Sequence, residues 1–210
     1  FYFCAMKFLK DISFKEKRVI IRVDFNVPLN DLLEITDETR IIAALPSINY
    51  VLDNGGTAVI ISHLGRPKGV NLKLSLKPVS KRLSVLLNRP VNFLDDCIGE
   101  RVEQTIKNSN SGDVFLLENL RFYNEETDGD MLFSEKLSRL GDAYINDAFG
   151  TSHRAHASTH GVVSFFEKEK YCGLLLEKEV VNLNKALNQN TTPSLAIIGG
   201  AKISSKIEVL

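Results

Sequence analysis

The chain has 210 residues, 44% hydrophobic and 25% charged, a balance that supports a packed core and excludes a disordered chain. Lys plus Arg and Asp plus Glu both number 26, so the formal net charge is zero. That argues against a broad nucleic-acid-binding face, though not against a local basic pocket. Cys4, Cys97 and Cys172 lack C-x-x-C spacing, which argues against a disulfide framework or a zinc site and for a reducing, cytoplasmic setting.

Residues 1–5 are apolar but too short and uncharged for a signal peptide, and they precede Met6. They are expected to be upstream or extraneous residues. Short apolar runs follow at 19–23, 58–61, 91–94, 114–117, 143–145 and 195–198. They are continuous and β-branched or aromatic-rich, as strands covered on both faces are. None approaches the ~18 residues of a membrane span.

Helical periodicity fills the gaps. Ile41, Ala44, Leu45, Ile48 and Leu52 form one stripe, in which Pro46 predicts a kink or a restart. Val79, Leu83, Leu86 and Leu87 form a second, opened by Ser75 and Pro78. Leu132, Phe133, Leu137 and Leu140 form a third, with Gly141 as its C-terminal cap. Leu176, Val180, Leu183 and Leu187 form a longer fourth. This alternation predicts an α/β fold: a doubly wound, mainly parallel, Rossmann-like sheet with helices on both faces. Ligands of such sheets bind at the carboxyl ends of the strands.

The expected organisation is an N-terminal domain over 6–173, an interdomain helix and linker over 174–193, and the start of a second α/β domain over 194–210. The polar stretch 188–193 supplies the linker. Residues 206–210 stop inside an uncapped helical pattern, so a fragment is expected.

Four strand ends carry polar constellations. RVDFNVP at 22–28 places Asp24 and Asn26 two residues apart, a spacing that also suits a turn. SHLGRP at 62–67 brings His63 and Arg66 around Gly65. ENLRFY at 118–123 supplies Arg121. NDAFGTSHRAH at 146–156 is rich in small and polar residues and ends on His153, Arg154 and His156, a composition that a core cannot use. Arg40 follows TDET at 36–39, at a helix start near the same edge. Several arginines around one pocket repel unless a multiply charged anion joins them. The expected ligand is therefore a small acid carrying, for example, a phosphate and a carboxylate.

No catalytic triad or nucleophile elbow appears, and the histidines lack zinc-ligand spacing, so no metal ligand is expected in this chain. Near the end, Gly199-Gly200-Ala201-Lys202 follows an apolar run, and Lys206 lies four residues beyond Lys202. Two ammonium groups beside a helix start suit a polyphosphate. The pattern is neither a Walker A motif nor G-x-G-x-x-G.

Taken together, RVDFNVP, TDETRI, HLGRP, LENLRFY, NDAFGTSHRAHAST and GGAK with Lys206 closely resemble phosphoglycerate kinase, in the family's order. The resemblance implies reversible phosphoryl transfer between 1,3-bisphosphoglycerate and ADP, giving 3-phosphoglycerate and ATP, with Mg2+ whose protein ligand lies beyond this sequence. It implies that Arg66, Arg121 and Arg154 hold the non-reacting phosphate, with His63 beside them in the loop of Leu64 and Gly65. Asp24, Phe25 and Asn26 would form the hydroxyl and carboxylate region, and Arg40 would face the reacting carboxyl. Gly200, Ala201, Lys202 and Lys206 would meet the nucleotide, Lys202 stabilising the phosphoryl group in flight. A monomer acting on these small molecules is implied, with no nucleic-acid or membrane partner. The chain alone is expected to bind phosphoglycerate without turnover.

Two other readings stand beside this one. A dinucleotide oxidoreductase would share the sheet, but Asp24-Phe25-Asn26 stands where its glycine-rich turn belongs. A non-catalytic anion-binding module would need no Lys202 and Lys206.

Overall fold

The computed structural model describes residues 7–188. The elements follow in chain order: β1 (Lys7–Phe8), β2 (Arg18–Arg22), α1 (Thr39–Asp53), β3 (Thr57–Ile61), α2 (Lys77–Leu87), β4 (Asn92–Leu94) and α3 (Glu100–Lys107). After them come β5 (Val114–Leu117), α4 (Asn124–Asp128), α5 (Met131–Ser138), β6 (Ala143–Asn146), β7 (Lys170–Cys172) and α6 (Leu174–Asn188). The seven strands form one sheet in the order β1-β7-β6-β2-β3-β5-β4, and every neighbouring pair is parallel.

The continuous apolar runs have a direct structural cause. In β2, Val19 and Ile21 enter one core with Ile60, Leu116 and Ile145, under α1 and α2. Ile20 points the other way and joins Val59, Phe115 and Tyr144, with Val102 and Ile106 of α3 and Phe133 and Leu137 of α5. Ile20 pairs with Val59 on one side and Tyr144 on the other, so register and face agree across the centre of the sheet. A sheet buried on both faces is what parallel strands require.

α1 runs unbroken through Pro46, so the helix does not restart there. Ile41, Ala44, Ile48, Val51 and Leu52 are all buried along it, and this packing outweighs one lost backbone hydrogen bond. Ile42, whose carbonyl loses that partner, is an exposed position. α2 opens as predicted: Ser75 Oγ accepts from Lys77 N–H at 3.1 Å, and Pro78 lies in the first turn.

Gly141 is not a left-handed cap. α5 ends at Ser138, Arg139 takes the right-handed conformation, and Gly141 has no positive φ. The glycine is needed for closeness instead, since a Cβ there would meet Ile20 Cγ1 at 2.7 Å. Leu132, placed in the buried stripe by periodicity, is exposed. β1, α3 and β7 were not anticipated. Internal contacts divide the chain inside α6, after Glu179. Among the described residues no helix is long and apolar enough to cross a membrane. Cys97 and Cys172 are free thiols, both buried.

Candidate functional site

From β2 the chain moves to β3 on one side, and it returns through β6 on the other. The crevice beyond the carboxyl ends of β2 and β6 is thus a topological switch point, where such sheets take their ligands.

The strand-end loops are clamped to one another. After β2, Asp24 Oδ1 accepts from Asn26 N–H at 3.2 Å, forming a tight turn, while Oδ2 pairs with Arg40. Phe25 is buried in the core and its N–H donates to Ser62 Oγ at 2.8 Å, so its side chain supports the loop from beneath. Asn26 Oδ1 accepts from Gly65 N–H at 2.8 Å. Gly65 has φ +63°, a left-handed conformation that disfavours side chains, and its carbonyl accepts from Arg121 at 2.7 Å. The buried Leu64 peptide is paired at both ends by the Asn119 side chain, at 3.1 and 2.8 Å. Glu118 ties the same loop to α2, accepting from Ser75 Oγ at 2.7 Å and Leu76 N–H at 2.9 Å.

Arg66, Arg121 and Arg154, from three different loops, line one cavity of about 190 Å³ with Pro67, Tyr123, Asn124, Thr127 and His156. Arg121 Nε and His156 Nδ1 are buried there without a hydrogen-bond partner in the protein. A buried donor left unpaired costs roughly 1–3 kcal/mol, so a partner is called for. Asp24 and Arg40 line a second hollow, of about 280 Å³, with Thr39, Asp147, Phe149 and Gly150. Asp147 Oδ1 accepts from Leu175 and Leu176 N–H at the start of α6, at 3.0 and 3.1 Å.

His63 lines neither hollow; it lies against Arg22 and Asp24 and is almost fully buried. Burial first, then Arg22, Arg121 and Arg154, push its pKa down to about 2. Its Nδ1 lies 3.2 Å from an Arg22 nitrogen that can only donate, so Nδ1 accepts and the ring proton sits on Nε2. The 3.9 Å approach to Asp24 is therefore not an ion pair. Burial, Arg121 and Arg154 likewise lower His156 to about 4. Arg121 itself is lowered by burial and by Arg154 and Arg22.

The structure thus brings Arg66, Arg121 and Arg154 together and joins Asp24 to Arg40. Asn26 acts through its side chain on the Gly65 N–H, and Leu64 and Gly65 act through their backbone. Gly200, Ala201, Lys202 and Lys206 lie outside the described residues. Three participants carried no sequence assignment: Arg22, Glu126 and Ser158. Arg22 is fully buried, with hydrogen bonds to Ser158 Oγ, the Val23 carbonyl and His63. The signal available was an arginine closing an otherwise apolar central strand. Glu126 gave none, because its acidic run reads as a solvated helix face.

The sequence profile described as Phosphoglycerate kinase matches residues 9–210. The chain belongs to the phosphoglycerate kinase family. It is 56% identical to the phosphoglycerate kinase of Chlorobaculum tepidum over 205 residues, covering 97% of this chain and 51% of that protein. It is 54% identical to that of Dictyoglomus turgidum over 202 residues, covering 96% and 50%. The crystal structure of phosphoglycerate kinase from Pyrococcus horikoshii OT3 superposes with a TM-score of 0.88 at 34% identity, covering 97% of this chain and 51% of that one. The chain spans about half the length of the phosphoglycerate kinases it matches. Among its described residues, no three His, Cys, Asp or Glu side chains are grouped to hold a metal ion.

Proposed function

We propose that this chain carries the acceptor half of a phosphoglycerate kinase, which exchanges a phosphoryl group between 1,3-bisphosphoglycerate and ADP. The observation that carries the reading is the cavity where Arg66, Arg121 and Arg154 converge beside an unpaired Arg121 Nε. That geometry suits the three oxygens of the non-reacting phosphate. Asp24 and Arg40 then meet the other end of the same small acid, with Arg40 facing the reacting carboxyl. A carboxylate nucleophile is ionised near neutral pH, so positioning and charge neutralisation suffice without a general base.

Gly200, Ala201, Lys202 and Lys206 would contact the nucleotide phosphates, Lys202 meeting the transferred group. ATP or ADP would enter with Mg2+, which would neutralise charge on the phosphates, and its protein ligand is expected outside this sequence. The assignment implies a monomeric cytoplasmic enzyme of glycolysis, with an N-terminal domain over 6–173.

Calorimetry with 3-phosphoglycerate, glycerate and inorganic phosphate tests the two-ended site. 3-Phosphoglycerate should bind far more tightly than either part alone, because one molecule loses its translational freedom once for both contacts. Equal affinities for 3-phosphoglycerate and phosphate would make the cavity a generic anion patch.

A further inference from the structure

Glu126, on the short α4, is fully buried. Both of its carboxylate oxygens accept from one residue: Oε1 from Ser158 Oγ at 2.6 Å and Oε2 from Ser158 N–H at 2.9 Å. Ser158 Oγ in turn accepts from Arg22 Nε at 2.8 Å. A hydroxyl has one hydrogen and Arg22 can only donate, so that hydrogen goes to Glu126, which receives it as a carboxylate. Arg22 then holds the Val23 carbonyl and His63 Nδ1, which lie at the roots of the Asp24 loop and the Arg66 loop. On its other side, Glu126 Oε1 comes within 3.8 Å of His156 Nδ1, at the arginine cavity.

A buried arginine whose direct partners are all neutral needs a counter-charge, and Glu126 supplies it across one hydroxyl. Burial raises the carboxyl's pKa, while Arg22 and the two Ser158 bonds pull it down.

We propose that Glu126 is a positioning residue for the phosphoryl-acid site, fixing Arg22 through Ser158 so that the loops of Asp24 and of His63 to Arg66 keep the spacing the ligand spans. This rests on the phosphoglycerate reading given above. A role through charge alone predicts the opposite sign of effect. A carboxylate beside clustered arginines repels an anion, so removing its charge would then tighten binding.

The experiment measures 3-phosphoglycerate and inorganic phosphate affinity by calorimetry for the unsubstituted chain, Glu126→Gln, Ser158→Ala and the double variant. Each single substitution should weaken 3-phosphoglycerate binding about tenfold, the scale of one charge-assisted hydrogen bond. The double variant should lose no more than the worse single, since both cut the same relay. Unchanged or tighter binding by Glu126→Gln overturns the proposal, and so does lowered urea stability with unchanged affinity. If Glu126→Gln does not fold, Ser158→Ala decides, because it keeps the Ser158 N–H bond to Glu126 while cutting the bridge to Arg22. An unsubstituted chain that binds 3-phosphoglycerate no better than phosphate removes the underlying reading. A chain that binds it well, with variants to match, removes only the positioning role.

Discussion

Arg66 and Arg121 line the same cavity but differ in what else they hold. Arg66 is exposed, whereas Arg121 is almost fully buried and donates to the Gly65 carbonyl at 2.7 Å. Arg66→Ala should therefore weaken 3-phosphoglycerate binding and leave urea stability within about 0.5 kcal/mol. Arg121→Ala should weaken binding and also destabilise by roughly 1–3 kcal/mol, because it frees a loop carbonyl and opens a buried site. Equal stability of the two variants would show that the Arg121 clamp on Gly65 contributes little. A second residue-scale consequence follows from His63. Its folded pKa, about 2, lies far below the ordinary value near 6.5. Between those values the unfolded chain binds a proton that the folded chain does not, so stability is complete above about pH 6.5 and is lost as pH falls. The loss from His63 should reach roughly 2 kcal/mol by pH 5. His156, depressed to about 4, acts in the same direction, and the buried Glu126, whose pKa is raised, acts against them. Comparing the pH slope of urea stability in the unsubstituted chain and in His63→Gln isolates the His63 share. An unchanged slope would mean that His63 protonates freely in the fold.

At the scale of elements, Gly141 shows what a local signal can hide. Its place after a helical stripe reads as a cap, yet its backbone is ordinary and its role is to let the chain pass β2. A Cβ would lie 2.7 Å from Ile20 Cγ1 and 3.0 Å from the Arg18 carbonyl. Gly141→Ala should destabilise by about 1–3 kcal/mol, as overpacking does, and urea unfolding would report it. A neutral or stabilising result would mean that β2 and β6 can part locally at no cost. Central strands were legible because β2, β3, β5 and β6 are buried on both faces, so the residues between their ends must be apolar. β1 and β7 have only two and three residues, too short to carry a pattern. α3 escaped because only Val102 and Ile106 mark its buried side. The site was legible wherever its residues sit on loops, as Arg66, Arg121 and Arg154 do. Arg22 and Glu126 were not, since what recruits them is the pairing of two buried charges through Ser158, and sequence spacing does not encode a contact between residues 22, 126 and 158.

At the scale of the molecule, a neutral chain concentrates positive charge at one edge of its sheet. Arg22, Arg66, Arg121 and Arg154 all act on the same small region, and among the groups that shift Arg121 only Glu126 opposes them. Four guanidinium groups held together repel, and the direct hydrogen-bond partners of Arg22 and Arg121 are a hydroxyl, two backbone carbonyls and a neutral imidazole rather than carboxylates. The fold therefore carries an electrostatic cost that a bound anion relieves. A ligand that binds only the folded chain adds RT ln(1 + [L]/Kd) to its stability, about 2.7 kcal/mol at one hundred times Kd. 3-Phosphoglycerate should raise the melting temperature in that concentration-dependent way. Inorganic phosphate should do so less at the same concentration, because it reaches only the arginine cavity. Sodium chloride at matched ionic strength should do least, since screening acts weakly on partly buried charges. Thermal unfolding across the three titrations separates a built site from general screening. If chloride matched 3-phosphoglycerate at equal ionic strength, the arginines would be a diffuse basic edge, and their convergence from three loops would have no ligand to explain it.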